Sequence, residues 1–373
     1  MTRPRFIQIH ALVSYPAALL NRDDSGLAKR LPYGDAIRTR VSSQCLKRHW
    51  RTADDQWSLA RIGPEMAVRS RKIPEERILT ALDAAGSGTP ETRQAVVDAI
   101  AIGLYSKSAV KDQSSRQALL IGEPEIAYLI GKAKLAAAEP DAKSAAAKID
   151  ALFKKEEKAN LAAMMAAKGT LQAGLEAALF GRMMTSDPDA NTDAAIHVAH
   201  AFTVHGEQAE TDYFTVVDDL ESGPGAGGIF DTELTAGLFY AYVVVDVPKL
   251  IENLGGDTPL AGKSVEHLIH LIATVSPGAK KGSTAPYAWA DLILIEMGDR
   301  QPRSLANAFR IAIAPSVGIA TNTIGGQLKK FDAMYGAGES RRAAALEEDT
   351  TLPGVAALET LDALASAVAA QIA

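Results

Sequence analysis

Leu234–Val247, L-T-A-G-L-F-Y-A-Y-V-V-V-D-V, is the clearest buried strand in the chain. Its aromatic and β-branched residues run on without a charge until Asp246, as in a strand enclosed within a sheet. Upstream, Arg5–Val13, R-F-I-Q-I-H-A-L-V, reads as a second strand by alternation and β-branching. Arg38–Val41 and Ala288–Ile295 supply two more, and Ala177–Met184 is a candidate fifth. Between about Pro74 and Leu179 the chain is rich in Ala, Lys and Glu at helical spacing, as in Ala95–Gly103 and Ile149–Ala178, with breaks at Pro90 and Pro140. Further helices are expected at Ser264–Thr274, from Arg303, and over the tail Val355–Ala373. The segment Ala194–Phe230, with three histidines, alternating aromatics and a glycine-rich end, reads as a long mobile excursion. No internal repeat is evident. This order of elements predicts an α+β fold, a sheet carrying helices on one side.

The chain has 373 residues, room for one large domain with insertions or for two. With 47% apolar and 23% charged residues it has the composition of a globular protein with a sizeable core. A single cysteine, Cys45, excludes an internal disulfide and any multi-cysteine zinc site, which suits a reducing cytoplasm. No apolar run is long enough to span a bilayer. Arg3, Arg5, His10 and Arg22 interrupt any signal-peptide core, so no membrane partner is expected. The net charge of −6 hides a split: residues 1–51 hold ten Lys or Arg against three Asp, and the remainder 29 against 42 acids. Such asymmetry points to a basic binding face on an acidic body.

That face centres on Ile37–Arg51, I-R-T-R-V-S-S-Q-C-L-K-R-H-W-R. Ser42, Ser43 and Gln44 open an expected helix whose free N–H groups and hydroxyls suit an anion. Lys47, Arg48 and Arg51 then fall in its first two turns. Cations there oppose the helix dipole, so a polyphosphate backbone is the fitting partner and a solvated basic helix face the plain alternative.

Other constellations fall short. Gly262-Lys263-Ser264 resembles the end of a phosphate-binding loop, but Asp257 stands where that motif needs glycine and Gly256 is one residue too far. Ser264 is read instead as a helix N-cap. His197 with His200, and His267 with His270, are each two imidazoles without the third ligand that zinc needs, and read as surface or partner-contact histidines. Cys45 sits among cations that would lower its thiol pKa, yet reads as a small packed residue. Asp23 and Asp24 are a loop pair that forms turns and salt bridges, with acid–base or metal chemistry as the alternative. Met183 and Met184, behind Gly181-Arg182, read as core, or as a wedge against a base.

Several segments together resemble one family, the backbone subunit of the type I-E CRISPR surveillance complex Cascade (the CasC family). The matching stretches are F-I-Q-I-H at Phe6–His10, L-N-R-D-D at Leu20–Asp24, R-V-S-S-Q-C-L-K-R at Arg40–Arg48 and G-R-M-M-T-S at Gly181–Ser186. H-A-F-T-V-H at His200–His205, D-Y-F-T-V-V-D-D-L at Asp212–Leu220, E-N-L-G-G at Glu252–Gly256, P-G-A-K at Pro277–Lys280 and S-L-A-N-A-F at Ser304–Phe309 follow in order. Cys45 stands where serine is common, and 60–175 and the tail match only in length and character.

The resemblance implies an RRM-like (ferredoxin-like) palm over 1–59, 176–189 and 231–373, a helical fingers insertion over 60–175 and a protruding thumb over 190–230. It implies a non-catalytic protein with no cofactor or metal. Copies of it would stack head-to-tail along a guide RNA (crRNA), each thumb kinking the RNA and flipping one nucleotide. The guide would pair with target DNA in an R-loop, beside other Cascade subunits, in cytoplasmic antiviral defence. By motif match the RNA contacts would be Asn21, Arg22, Lys29, Arg40, Ser42, Ser43, Gln44, Lys47, Arg48 and Arg51. Met183 and Phe202 would press on bases, and Lys280 would hold a phosphate or a neighbouring copy. Contacts of this kind position a strand without reading its sequence. Two alternatives stay open: a guide-positioned ribonuclease using Asp23 and Asp24, and a general single-stranded RNA-binding protein.

Overall fold

The computed structural model describes residues 3–105, 110, 112–153, 173–184, 188–217, 226–278 and 281–373. They divide into two compact units, one of 1–61, 197–247 and 259–373, the other of 62–196 and 248–258. Eleven strands are described: β1 (Phe6–Ala18), β2 (Arg30–Tyr33), β3 (Ala36–Val41), β4 (Ala67–Ser70), β5 (Leu119–Gly122), β6 (Ile196–Val198), β7 (Ala201–Thr203), β8 (Ala209–Val217), β9 (Ala226–Asp246), β10 (Ala290–Gly298) and β11 (Ser340–Ala345).

The first unit is built on a sheet in the order β11-β10-β1-β9-β7-β3-β2, with β8 also paired to β9. β1 lies antiparallel between β10 (Phe6 opposite Gly298) and β9 (Phe6 opposite Asp246, Val13 opposite Phe239). Every position of β1 from Phe6 to Val13 is buried, so both its faces are covered, where the sequence predicts helices on one side. On one face Leu12, Leu238, Tyr240, Leu292 and Leu294 share a core with Ala320, Ile324 and Leu328 of the helix Val317–Tyr335. The expected strand Leu234–Val247 is the second half of β9. The first half of β9 pairs with β8 as a two-stranded ribbon, from Ala209 opposite Thr235 onward. Between β2 and β3 the chain turns at Gly34-Asp35. Gly34 has φ +65°, and a Cβ there would strike the Arg310 carbonyl.

The helix expected from Ser264 begins at Thr258, and Ser264 is buried in its middle rather than capping it. Its Gly262 lets the helix Leu361–Ala369 approach: a Cβ would sit 2.9 Å from the Ala369 carbonyl oxygen. The element near Arg303 is a short 3-10 turn, Ala306–Phe309.

The second unit holds helices Pro90–Leu104, Glu123–Ala137 and Ala142–Asp150 and the β4–β5 pair, which the helical composition conceals. Pro90 opens its helix at the first position, behind a Thr89–Thr92 capping box. Val96, Ile100, Ile126, Leu129, Ala133 and Ile149 form its core. Ala177–Met184 is not a strand: Leu175–Phe180 is helical, and residues 176–189 group with this unit, not with the sheet.

A charged network is buried in the first unit. Glu296 of β10 accepts from Arg303 at 2.6 and 2.8 Å and from Arg341 of β11 at 2.8 Å, and Arg341 also grips Asp332 at 2.6 and 2.7 Å. His10 of β1 lies 3.2 Å from Glu296, too obliquely for a hydrogen bond, and its Nδ1 is 2.8 Å from the Tyr240 hydroxyl. Burial holds His10 below its ordinary pKa despite Glu296, because the two guanidinium groups already neutralise that carboxylate. Glu296 pays for its own burial through Arg303 and stays ionised well below the usual carboxylate range. Removing it as Glu296→Ala leaves Arg303 without its carboxylate and the buried Arg341 with Asp332 alone, and should cost about 3–5 kcal/mol, read by denaturant unfolding. His205 and His270 are likewise held low by burial. The unfolded chain therefore takes up protons below about pH 6.5 that the fold refuses, so the melting temperature should fall between pH 7 and 5.

Candidate nucleic-acid interface

Ser43–Arg51 is a nine-residue helix capped by Ser42, whose Oγ accepts from the Cys45 N–H at 3.3 Å. Leu46 and Trp50 are buried on one side. Gln44, Lys47, Arg48 and Arg51 recur at spacings of three and four, so they share the opposite face. Arg48 and Arg51 occupy the last turn. The expected conflict with the dipole is thus absent, because the helix is too short for its cations to sit at the unfavourable end.

A loop clasps the start of this helix. Asn21 Oδ1 accepts from the Ser42 N–H at 2.9 Å, and the Asn21 carbonyl accepts from the Lys29 N–H at 3.0 Å. Within the loop, Asp23 Oδ1 accepts from Ser25 and Leu27 N–H groups at 3.0 and 2.9 Å. Arg22 is exposed, and Lys29 is half-buried. Arg40 of β3 donates to His200 Nδ1 at 2.9 Å. Burial, then the charges of Arg40 and Lys29, keep that imidazole below its ordinary pKa. Asn21, Lys29 and Arg40 therefore belong to the same unit as the helix and adjoin its N-terminus, while the stripe runs on to its last turn.

Several expected roles change. Ser42 and Ser43 are buried: the first spends its side chain on the cap, and the second lies 3.3 Å from Gln44 Oε1. Arg38, counted among the basic residues, is fully buried and donates to the carbonyls of Tyr33, Thr203 and Phe309. Arg30 pairs with Glu207 and Glu233. Burial pushes the Cys45 thiol up, although Lys29 and Arg48 pull the other way. His267 and His270 are buried rather than surface histidines; His270 stacks on Trp57 at 3.5 Å and His267 Nδ1 meets the Trp57 carbonyl at 2.9 Å. Among the described residues no three His, Cys, Asp or Glu groups converge as a metal site.

Phe202 is not an exposed wedge. It lies in β7 between Arg40 and Tyr240 at 8% exposure, in the sheet core. Aromatics are exposed instead on the β8–β9 ribbon: Tyr213 at 63%, Phe214 at 40% and Phe230 at 49%, the last two stacked at 5.6 Å. The D-Y-F of Asp212–Phe214, two adjacent aromatics beside an acid, is the signal the sequence offers for them. In the second unit Met183 is 66% exposed while Met184 is buried. Arg182 between Gly181 and Met183 forms a buried pair with Glu125 at 2.6 and 2.7 Å, which fixes the backbone that presents Met183. Lys280 and residues 218–225 of the expected thumb lie outside the described residues.

A family model described as CT1975-like protein matches residues 7–369. The chain belongs to the CT1975-like family. A chain of a solved structure titled "CRISPR RNA-guided surveillance complex, pre-nicking" is similar to this CT1975-like protein at 28% identity and a TM-score of 0.80, over 99% of this chain and 100% of that one. A second, "CRISPR RNA-guided surveillance complex", shares the fold at 23% identity and TM-score 0.60, over 98% of each chain. No curated protein matches.

Asn21→Ala and Ser42→Ala each remove one acceptor from the same helix start. Each should cost about 1 kcal/mol in thermal unfolding, and the double variant less than the sum, because the two serve one N-terminus.

Proposed function

We propose that this CT1975-like protein is a non-catalytic, guide-RNA-binding (crRNA) backbone subunit of a Cascade-type CRISPR surveillance complex of type I-E. The observation that carries the reading is the cationic stripe Gln44, Lys47, Arg48 and Arg51, clasped by Asn21 and flanked by Lys29 and Arg40. Similarity over the full length to a chain of an RNA-guided complex supports it. The stripe holds sugar–phosphate without reading bases, as a carrier of many guides requires. Arg22 joins the track, the backbone groups of Ser42 and Ser43 shape it, and Lys280 is a further phosphate or neighbour contact. Met183, and Tyr213 with Phe214 in place of Phe202, supply the apolar surfaces against bases.

In this reading the sheet-bearing unit is an RRM-like palm, the β8–β9 ribbon a thumb, and the chain polymerises head-to-tail along the guide in the cytoplasm. The guide then pairs with target DNA in an R-loop, alongside other subunits. The absence of catalysis rests on Asp23, whose carboxylate closes its own turn. Assembled complex with Mg²⁺ should leave labelled complementary RNA intact; regularly spaced fragments abolished by Asp23→Ala or Asp24→Ala would make it a ribonuclease.

The full chain should bind short single-stranded RNA with a steep dependence on log salt. Lys47→Ala with Arg48→Ala should weaken binding and flatten the slope by about 1.4, since each lost phosphate contact removes about 0.7. An unchanged slope would take both residues out of the track.

A further inference from the structure

Beside the cationic stripe a cavity of about 530 Å³ opens between the Leu20–Gly26 loop and the Cys45–His49 side of the basic helix. That size falls within the roughly 300–1,000 Å³ of small-ligand sites. Its walls are held in place. Asn21 ties the loop to the helix start, Asp23 closes the turn, and Cys45 Sγ lies 3.8 Å from the Leu20 carbonyl. His49 Nδ1–H donates to the Cys45 carbonyl at 2.8 Å, and its Nε2 accepts from the Gly278 N–H at 3.4 Å. Arg22 lines the cavity as a cation, and Asp23 and Asp24 as carboxylates, the first engaged by the N–H groups of its own turn and the second exposed.

A site for phosphate alone would present donors only, because a carboxylate repels phosphate and has no proton to give it. A carboxylate set into a basic surface instead asks for a ligand that carries negative charge and a hydrogen donor together. A ribonucleotide carries both, its phosphate for the cations and its 2′-hydroxyl as a donor to a carboxylate oxygen. A deoxyribonucleotide lacks the donor and leaves the carboxylate facing only negative charge.

We infer that the Leu20–Gly26 loop and its cavity form a ribose-reading subsite, in which Asp24 accepts a hydrogen bond from a strand's 2′-hydroxyl and so selects RNA over DNA of the same sequence. This rests on the guide-carrying reading and deepens it. A protein that holds an RNA while a DNA strand lies alongside must keep that DNA out of the guide track. Asp24 performs the exclusion by recognition: its repulsion of phosphate falls on both strands alike, and only RNA offsets it with a 2′-hydroxyl donor.

The test compares short single-stranded RNA with its all-deoxy and 2′-O-methyl counterparts on the full-length protein, wild type and Asp24→Ala, by fluorescence anisotropy. One charge-assisted hydrogen bond is worth about tenfold in affinity. Wild type should therefore favour RNA over both analogues by about tenfold or more. Asp24→Ala should bring the preference to within about threefold, chiefly by binding RNA less tightly. Wild type binding all three strands alike overturns the inference and leaves RNA binding standing, whether or not the variant folds. A folded Asp24→Ala variant that keeps the full preference also overturns it. Failure of the wild type to bind any strand overturns the guide-carrying reading and this subsite with it.

Discussion

A strand buried on both faces and hydrogen-bonded along both edges has one register available to it. β1 is such a strand. A slip of one residue would turn Ile7 and Ile9 out of their enclosed positions and carry His10 away from Glu296 and Tyr240. The buried charges make that register expensive to leave. Glu296, Arg303, Arg341 and Asp332 satisfy one another only in the observed alignment of β10 and β11.

The candidate interface follows from that alignment. β1 delivers the chain into the Leu20–Gly26 loop, and β3 delivers it into the basic helix. Asn21 joins the two by one side-chain hydrogen bond to Ser42. Beyond Thr235, where its pairing with β1 ends, β9 continues with β8 as a ribbon carrying Tyr213, Phe214 and Phe230. The charged and aromatic surfaces are thus both carried by one sheet-bearing unit.

Charge alone did not mark the candidate interface. Of the cations in the first 51 residues, Arg38 and Arg30 serve the fold, one through backbone carbonyls and the other through Glu207 and Glu233. Arg48 and Gln44 are exposed, with Lys47 and Arg51 half-buried beside them. A guanidinium is equally at home in either setting, since its five donors can be met by carbonyls or by phosphate.

The sequence by itself determined the strands around β1, β3, β9 and β10, the helix after Ser42 and the stripe of cations on it. Each of these is a local matter of side-chain period, β-branching or a capping hydroxyl. It could not place Phe202 and Phe214, because two short aromatic-bearing runs look alike until their partners are known. Phe202 is enclosed by Tyr33 and Tyr240, whereas Phe214 lies on a ribbon that leaves the sheet. Nor could it tell that Ser264 lies inside a helix or that Leu175–Phe180 is helical, since those outcomes depend on packing against distant residues. Tertiary structure decided which apolar and cationic groups are used up inside the protein, because burial and pairing depend on segments hundreds of residues apart.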